Sequence, residues 1–215
     1  MTLRDVLQIL FFVAFVKPFV ALFIGLRVRG REYLPLRDPF ILIANHSSHL
    51  DTISLLSLLP LRRLRRVQPV AAADYFNRNR MVSWFSRTLF NILPIPRQNI
   101  TAENHPLDLM EKALQRGQSL IIFPEGTRGS GEDPGKFRTG VARLVERKPE
   151  VPVVPCYLVN MGRSLPKGEW IPVPFFAEVR IGKALHLAGE HHQMTAELEK
   201  AVAGLKSREP DHRAD

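Results

Sequence analysis

Cysteine is almost missing from this chain. Its 215 residues include one, Cys156, which excludes an internal disulfide framework and fits a reducing compartment. Metal-ligand motifs are equally scarce. His105, His186, His191, His192 and His212 form none, so no metal is expected. The start, Met1-Thr2-Leu3-Arg4-Asp5, lacks a basic n-region and a small-residue cleavage site, so no secretory signal is expected. Internal repeats and domain-length linkers are absent, and the length suits one packed domain. Acid is in deficit: 21 Asp and Glu face 30 Lys and Arg, a formal charge of +9. The densest basic cluster is Leu61-Arg62-Arg63-Leu64-Arg65-Arg66, followed by Arg78, Arg80 and Arg87. Such a surface attracts nucleic acid, anionic lipid or phosphorylated substrates. No aromatics interleave with these arginines for base stacking, and no recognition motif is visible, so nucleic acid is not an expected partner.

The N-terminus favours lipid. Val6 to Leu26 is almost wholly apolar and long enough to cross a bilayer. Lys17-Pro18 divides it, and proline inside a helix removes a hydrogen bond and clashes with the preceding turn. The expectation is two short helices lying in one leaflet, with a single kinked span as the alternative. The arginines that follow would meet anionic head groups of a membrane phospholipid surface.

Beyond that segment, apolar and β-branched runs predict strands over Phe40–Ala44, Val67–Ala73, Ser119–Phe123, Val151–Val159 and Ala177–Leu185. Leu26 to Leu34 reads as a short strand and turn. Helical patterns cover Leu50–Leu59, Met81–Ile92, Pro106–Arg116, Phe137–Lys148 and Thr195–Lys206. The alternation predicts an α/β fold: a single domain with a central, mostly parallel sheet flanked by helices. Residues 1–27 form a membrane-associating segment, 28–206 the main domain and 207–215 a charged tail.

Three segments carry candidate chemistry. Ala44-Asn45-His46-Ser47-Ser48-His49-Leu50-Asp51 joins a predicted strand to a predicted helix. Five positions along one straight helix would turn His46 and Asp51 about 140° apart. They can pair only if His46 sits on the loop and Asp51 in the first turn. Ser48-x-x-Asp51 reads as a capping box that provides this break. Asp51 would then fix the His46 tautomer and leave a base. A bare helix cap and a metal site on His46, His49 and Asp51 are the other readings. In the second segment, Ser119–Phe123 delivers Pro124-Glu125-Gly126-Thr127-Arg128 to the end of a buried strand, a site-like position in an open α/β sheet. Gly126 admits close backbone approach. Arg128 can clamp a phosphate or carboxylate, and Glu125 can accept from a hydroxyl or pair with an arginine. A surface loop with a structural Glu–Arg pair is the alternative. The third is Ile92-Leu93-Pro94-Ile95-Pro96-Arg97, where two prolines hold the backbone extended before Arg97.

Asn45-His46-x-Ser48-x-x-Asp51, Arg97 after its Pro-containing run, Phe123-Pro124-Glu125-Gly126-Thr127-Arg128 and Val151-Pro-Val-Val-Pro155 resemble, in order and spacing, the four motifs of the glycerolipid acyltransferase family. Its best-known members are bacterial lysophosphatidic acid acyltransferases. Gly30-Arg-Glu-Tyr-Leu-Pro35 and Lys136-Phe-Arg-Thr-Gly140 also resemble family segments, and the likeness runs from about Val28 to about Leu185. The resemblance implies acyl transfer from an acyl-CoA or acyl carrier protein thioester to a lysophospholipid hydroxyl, without a cofactor or metal. The acceptor it implies first is 1-acylglycerol 3-phosphate, giving phosphatidic acid. A lyso-ornithine lipid, a zwitterionic lysophospholipid, or a non-catalytic basic lipid-binding module are the alternatives. It makes His46 the base and Asp51 its orienter. Arg97, Glu125, Gly126, Thr127 and Arg128 would hold the acceptor's phosphate and glycerol. It places the protein peripherally or monotopically on the inner (cytoplasmic) membrane, with its site on the cytoplasmic face. In one place the chain departs from the pattern: many members carry a basic residue after the strand matching Val67–Ala73, where this chain has Asp74. Arg78, Arg80 or a backbone N–H are the candidates to steady the oxyanion.

Overall fold

Seven strands form one sheet in a computed structural model that describes residues 2–35, 37, 39–74, 79–129, 135–161 and 177–206. The strands are β1 (Arg27–Arg29), β2 (Ile41–Ala44), β3 (Val67–Ala72), β4 (Leu93–Ile95), β5 (Ser119–Ile122), β6 (Val153–Val159) and β7 (Glu178–Ile181). Their order across the sheet is β1-β7-β6-β2-β5-β3-β4. β6, β2, β5, β3 and β4 are parallel neighbours. β7 runs antiparallel to β6 and parallel to β1, so the two strands at that end of the sheet run the other way. The predicted mostly parallel α/β sheet is therefore present. β4 is the strand the sequence reading treated only as an extended run. It has three residues, two of them apolar, and pairs with β3 alone. The predicted tail 207–215 and Arg78 lie outside the described residues.

The helices are α1 (Leu3–Ile24), α2 (Leu50–Ser57), α3 (Arg80–Leu89), α4 (Pro106–Gln115), α5 (Gly140–Arg147) and α6 (His191–Ala203). Side chains alternate across a strand. Leu42, Ala44, Ile121 and Val154 therefore face one layer with α1 and α2, while Ile41, Ile43, Leu120 and Val153 face a second layer with α4, α5 and α6. The central strands β2 and β5 are buried throughout, as expected of parallel strands covered on both faces.

The N-terminal expectation is corrected. Lys17-Pro18 does not end the helix: α1 is one element of 22 residues. The turns Phe12–Val16 and Val20–Ile24 are π-helical, and the Lys17 N–H donates five residues back to Phe12. This wider turn just before Pro18 relaxes the crowding that a proline ring creates in a tight α-turn. The wider turns also straighten the buried stripe. Residues four apart drift about 40° on an α-helix, yet Gln8, Phe12, Val16, Val20 and Ile24 are all buried against the body. Each apolar member of that stripe contributes about 1.5–3 kcal/mol. Gly25 ends the helix in the left-handed region at φ 55°.

Candidate active site

The strand order creates a crevice between β2 and β5. The chain leaves β2 through α2 and passes over β5 to reach β3. It leaves β5 through α5 and passes over β2 to reach β6. Two neighbouring strands whose connections depart in opposite directions mark a switch point, where open α/β sheets bind ligands at the carboxyl ends of the strands. The register pairs Ile43 with Ile122. The loops after Ala44 and after Ile122, both singled out in the sequence, thus emerge side by side.

On the first loop, His46 Nδ1 lies 2.7 Å from Asp51 Oδ2. The same oxygen accepts from the backbone N–H groups of Ser47 at 2.7 Å and Ser48 at 2.9 Å. Asp51 is wholly buried, with 0% exposure, and among the described residues its Oδ1 has no hydrogen-bond partner. A carboxylate only accepts, so the imidazole proton sits on Nδ1 and Nε2 carries the lone pair. The His46 ring stacks on Phe123 at 4.2 Å between centroids and 19° between planes, which leaves the imidazole partly exposed.

The expected capping box is half formed. The Asp51 carboxylate accepts from Ser48 N–H as a box requires. Ser48 Oγ accepts from Leu50 N–H at 3.2 Å, and the N-cap is His49, one residue later than expected. Asp51 is accordingly the second helical residue. This shift lets one carboxylate oxygen gather the imidazole and two loop N–H groups.

The second loop holds the first. Glu125 Oε1 accepts from His46 N–H at 2.9 Å, and Gly129 N–H donates to His46 C=O at 2.9 Å. Glu125 is only 8% exposed. Burial pushes its carboxyl above the usual carboxylate range, against the hydrogen bonds from the His46 and Gly135 backbone that pull it down. Gly126 has φ +74°, so the turn itself favours glycine, and a Cβ there would also press 2.9 Å from Arg138 Nε. Arg97 donates to the Gly126 C=O. Arg128 Nη1 faces His49 Nε2. Burial first, and then the Arg128 charge, hold the His49 imidazole below its usual range. Thr127 is exposed. His46, Asp51, Arg97, Glu125, Gly126 and Arg128 are thus linked within one crevice. Glu125 faces inward onto the His46 backbone, so among the described contacts its carboxylate accepts from loop N–H groups. Among the described residues no three His, Cys, Asp or Glu side chains converge as a metal site would require.

Sequence reasoning missed several residues that position this loop. Asn45 Nδ2 donates to Leu158 C=O at 3.0 Å, and its Oδ1 accepts from Leu158 N–H at 2.7 Å. The side chain imitates a peptide group and prolongs the β2–β6 ladder by one step. A buried Asn directly after a β-strand was the available signal. Phe123, the end of a predicted strand and the start of a motif, was given no role of its own, yet its ring is the platform under His46. Cys156 is buried in β6, and desolvation pushes its thiol far up, which leaves it unreactive.

The Acyltransferase family model matches residues 25–159. A 1-acyl-sn-glycerol-3-phosphate acyltransferase of Pseudomonas aeruginosa is 29% identical over 171 residues, 80% of this chain and 63% of the relative. A chloroplastic 1-acyl-sn-glycerol-3-phosphate acyltransferase of Brassica napus is 29% identical over 142 residues, 66% of this chain and 39% of the relative. The chain therefore spans less than two thirds of either relative's length. The crystal structure of the 1-acyl-sn-glycerophosphate acyltransferase PlsC from Thermotoga maritima superposes with a TM-score of 0.75 at 23% identity, covering 100% of this chain and 86% of that one. That likeness establishes the fold. The family match spans the His46 loop, the Arg97 run and the Glu125 loop together, and on it this chain belongs to the Acyltransferase family.

Proposed function

We propose that this chain transfers a fatty acyl group from a thioester, acyl-CoA or acyl carrier protein, to the free hydroxyl of 1-acylglycerol 3-phosphate, giving phosphatidic acid. The observation that carries the reading is the 2.7 Å His46–Asp51 contact at the switch point. An alcohol is a poor nucleophile until a base takes its proton during attack. His46 Nε2 takes that proton as the hydroxyl oxygen bonds to the thioester carbonyl carbon. The C–S bond then breaks, and the imidazolium returns the proton to the departing thiolate. Asp51 holds the tautomer and faces the positive ring that forms. No acyl-enzyme and no metal are required. The acceptor follows from the names of the relatives and from the arginines at the crevice: Arg97 and Arg128, with Gly126 and Thr127, would hold phosphate and glycerol.

The reading includes a monotopic seat on the cytoplasmic face of the inner membrane. α1 is about 33 Å long, and its buried stripe runs from Gln8 to Ile24, so it cannot cross a bilayer without drawing the body in. Its outer face stays apolar: Leu3, Leu10, Phe15 and Leu22 are exposed, Leu22 at 78%. α3 adds Met81 and Trp84, 79% and 60% exposed, and joins α1 through Phe11 and Phe85. An apolar patch of this breadth is a burden in water and suits a lipid surface. The test offers purified protein labelled acyl-CoA and acyl carrier protein thioesters with a panel of lysolipids. Labelled phosphatidic acid from lysophosphatidic acid is the expected product. Transfer to lysophosphatidylcholine or a lyso-ornithine lipid in its place would overturn the acceptor, and transfer to none the activity.

A further inference from the structure

We propose that a basic cavity at the opposite, amino-terminal edge of the sheet binds the phosphate headgroup of an anionic phospholipid and fixes the protein's seat on the leaflet; this rests on the membrane seat proposed above. The cavity holds about 530 Å³ and opens where β3, β4 and β5 begin. Four cations from separate parts of the chain line it: Arg4 of α1, Arg65 before β3, and Lys112 and Arg116 at the end of α4. Gln68 and Gln118 add carboxamides, Asn91 braces the wall, and Leu93, Leu109 and Ala113 give it an apolar side. Cations backed by amide donors form an anion receptor.

The charge is in excess. Arg65 pairs with Asp5 at 3.1 Å. The carboxyl end of α4 contributes roughly half a negative charge. Together these offset less than half of the four positive charges. Among the described residues neither Lys112 nor Arg116 forms an ion pair. The cavity is also built. Asn91 Oδ1 accepts from Arg4 at 2.9 Å, while its Nδ2 donates to Arg65 C=O at 3.2 Å and Val67 C=O at 3.1 Å. The buried Gln8 donates to Leu89 C=O at 3.1 Å and fastens α1 to the end of α3. Arg4 therefore sits at a fixed point between exposed Leu3 and Leu7. With the apolar face of α1 in the leaflet, the cavity mouth lies at headgroup level.

The test is binding of full-length protein to vesicles of phosphatidylcholine, alone or equimolar with phosphatidylglycerol. Lys112→Gln/Arg116→Gln is compared with a control pair, Arg143→Gln/Lys200→Gln, which removes equal charge from exposed positions of α5 and α6. The cavity pair is expected to lose affinity for the anionic vesicles by about tenfold or more, the control pair by a small factor. Binding to phosphatidylcholine alone is expected to stay level for both. Inorganic phosphate is expected to erase the difference between wild type and the cavity pair at an ionic strength where chloride does not. Equal losses in the two pairs, or no loss in the cavity pair, or equal action of chloride, would reduce the cavity to diffuse attraction and overturn the proposal. Acceptor-dependent thiol release in detergent is expected at the wild-type value in both pairs. Its absence from wild type would count against the acyl-transfer reading and leave the vesicle result standing.

Discussion

The two ends of the sheet are built by different means. At the carboxyl edge, the His46 ring Nδ1, backbone N–H and backbone C=O are each engaged by another part of the fold. At the amino edge, cations surround a cavity, and three of the four, Arg4, Lys112 and Arg116, lack an ion pair among the described residues. Hydrogen bonds are directional and fix atoms to within tenths of an ångström. Coulombic attraction is long-ranged and tolerant of geometry. A proton transfer needs the first kind of construction, while a headgroup receptor draws on the second, focused at one place by the hydrogen bonds of Asn91 and Gln8. Substitutions at the carboxyl edge should therefore change turnover and leave vesicle binding intact, and substitutions at the amino edge should do the reverse.

The largest effects belong to Asp51. Asp51→Asn retains an oxygen for the loop N–H groups but no longer enforces the His46 tautomer. Turnover is expected to fall by about 10³-fold or more with the melting temperature nearly kept. Asp51→Ala strands two buried N–H groups and is expected to cost about 1–3 kcal/mol for each, read as a lower denaturant midpoint. Asn45→Ala follows. It breaks two buried hydrogen bonds to Leu158, and about 2–4 kcal/mol of stability should go with them. Unchanged stability would mean that the β2–β6 ladder holds without the latch.

Glu125→Gln should act more gently, lowering turnover by less than about 100-fold, since a neutral acceptor remains for His46 N–H. It also has a pH signature. Burial raises the Glu125 carboxyl in the folded protein. The folded state therefore holds the proton more tightly than the unfolded chain, and stability declines as pH rises from about 4.5 through the folded value. The Gln variant should lack that decline, and an identical slope in both would contradict the burial argument. The smallest effect concerns His49, whose folded value is lowered from 6.5. Its contribution is present above 6.5 and lost as pH falls through the folded value. His49→Gln should flatten the stability curve on that acid side alone.

The sequence made much of this legible. Alternating apolar runs and helical patterns predicted the parallel core, because strands buried on both faces and amphipathic helices leave distinct periods. The His46–Asp51 pair followed from helix geometry together with a capping pattern. Three features did not follow, each for a physical reason. β4 is short and has proline at its centre, so pairing with β3 rather than propensity makes it a strand. α1 stays whole across Lys17-Pro18 because π turns absorb the proline, and no residue type signals such a turn. Glu125 turns inward because the His46 and Gly135 N–H groups donate to its carboxylate, a tertiary effect that local pattern does not carry. The amino-edge cavity was the least legible of all, since Arg4, Arg65, Lys112 and Arg116 are scattered along the chain and meet only through the fold.

The most direct test of the central claim is acceptor-dependent thiol release from palmitoyl-CoA by detergent-purified protein, wild type beside His46→Ala, with folding checked by circular dichroism. The His46–Asp51 base predicts release that requires lysophosphatidic acid in wild type and falls by about 10³-fold or more in the folded variant. Near-normal release from folded His46→Ala would contradict it.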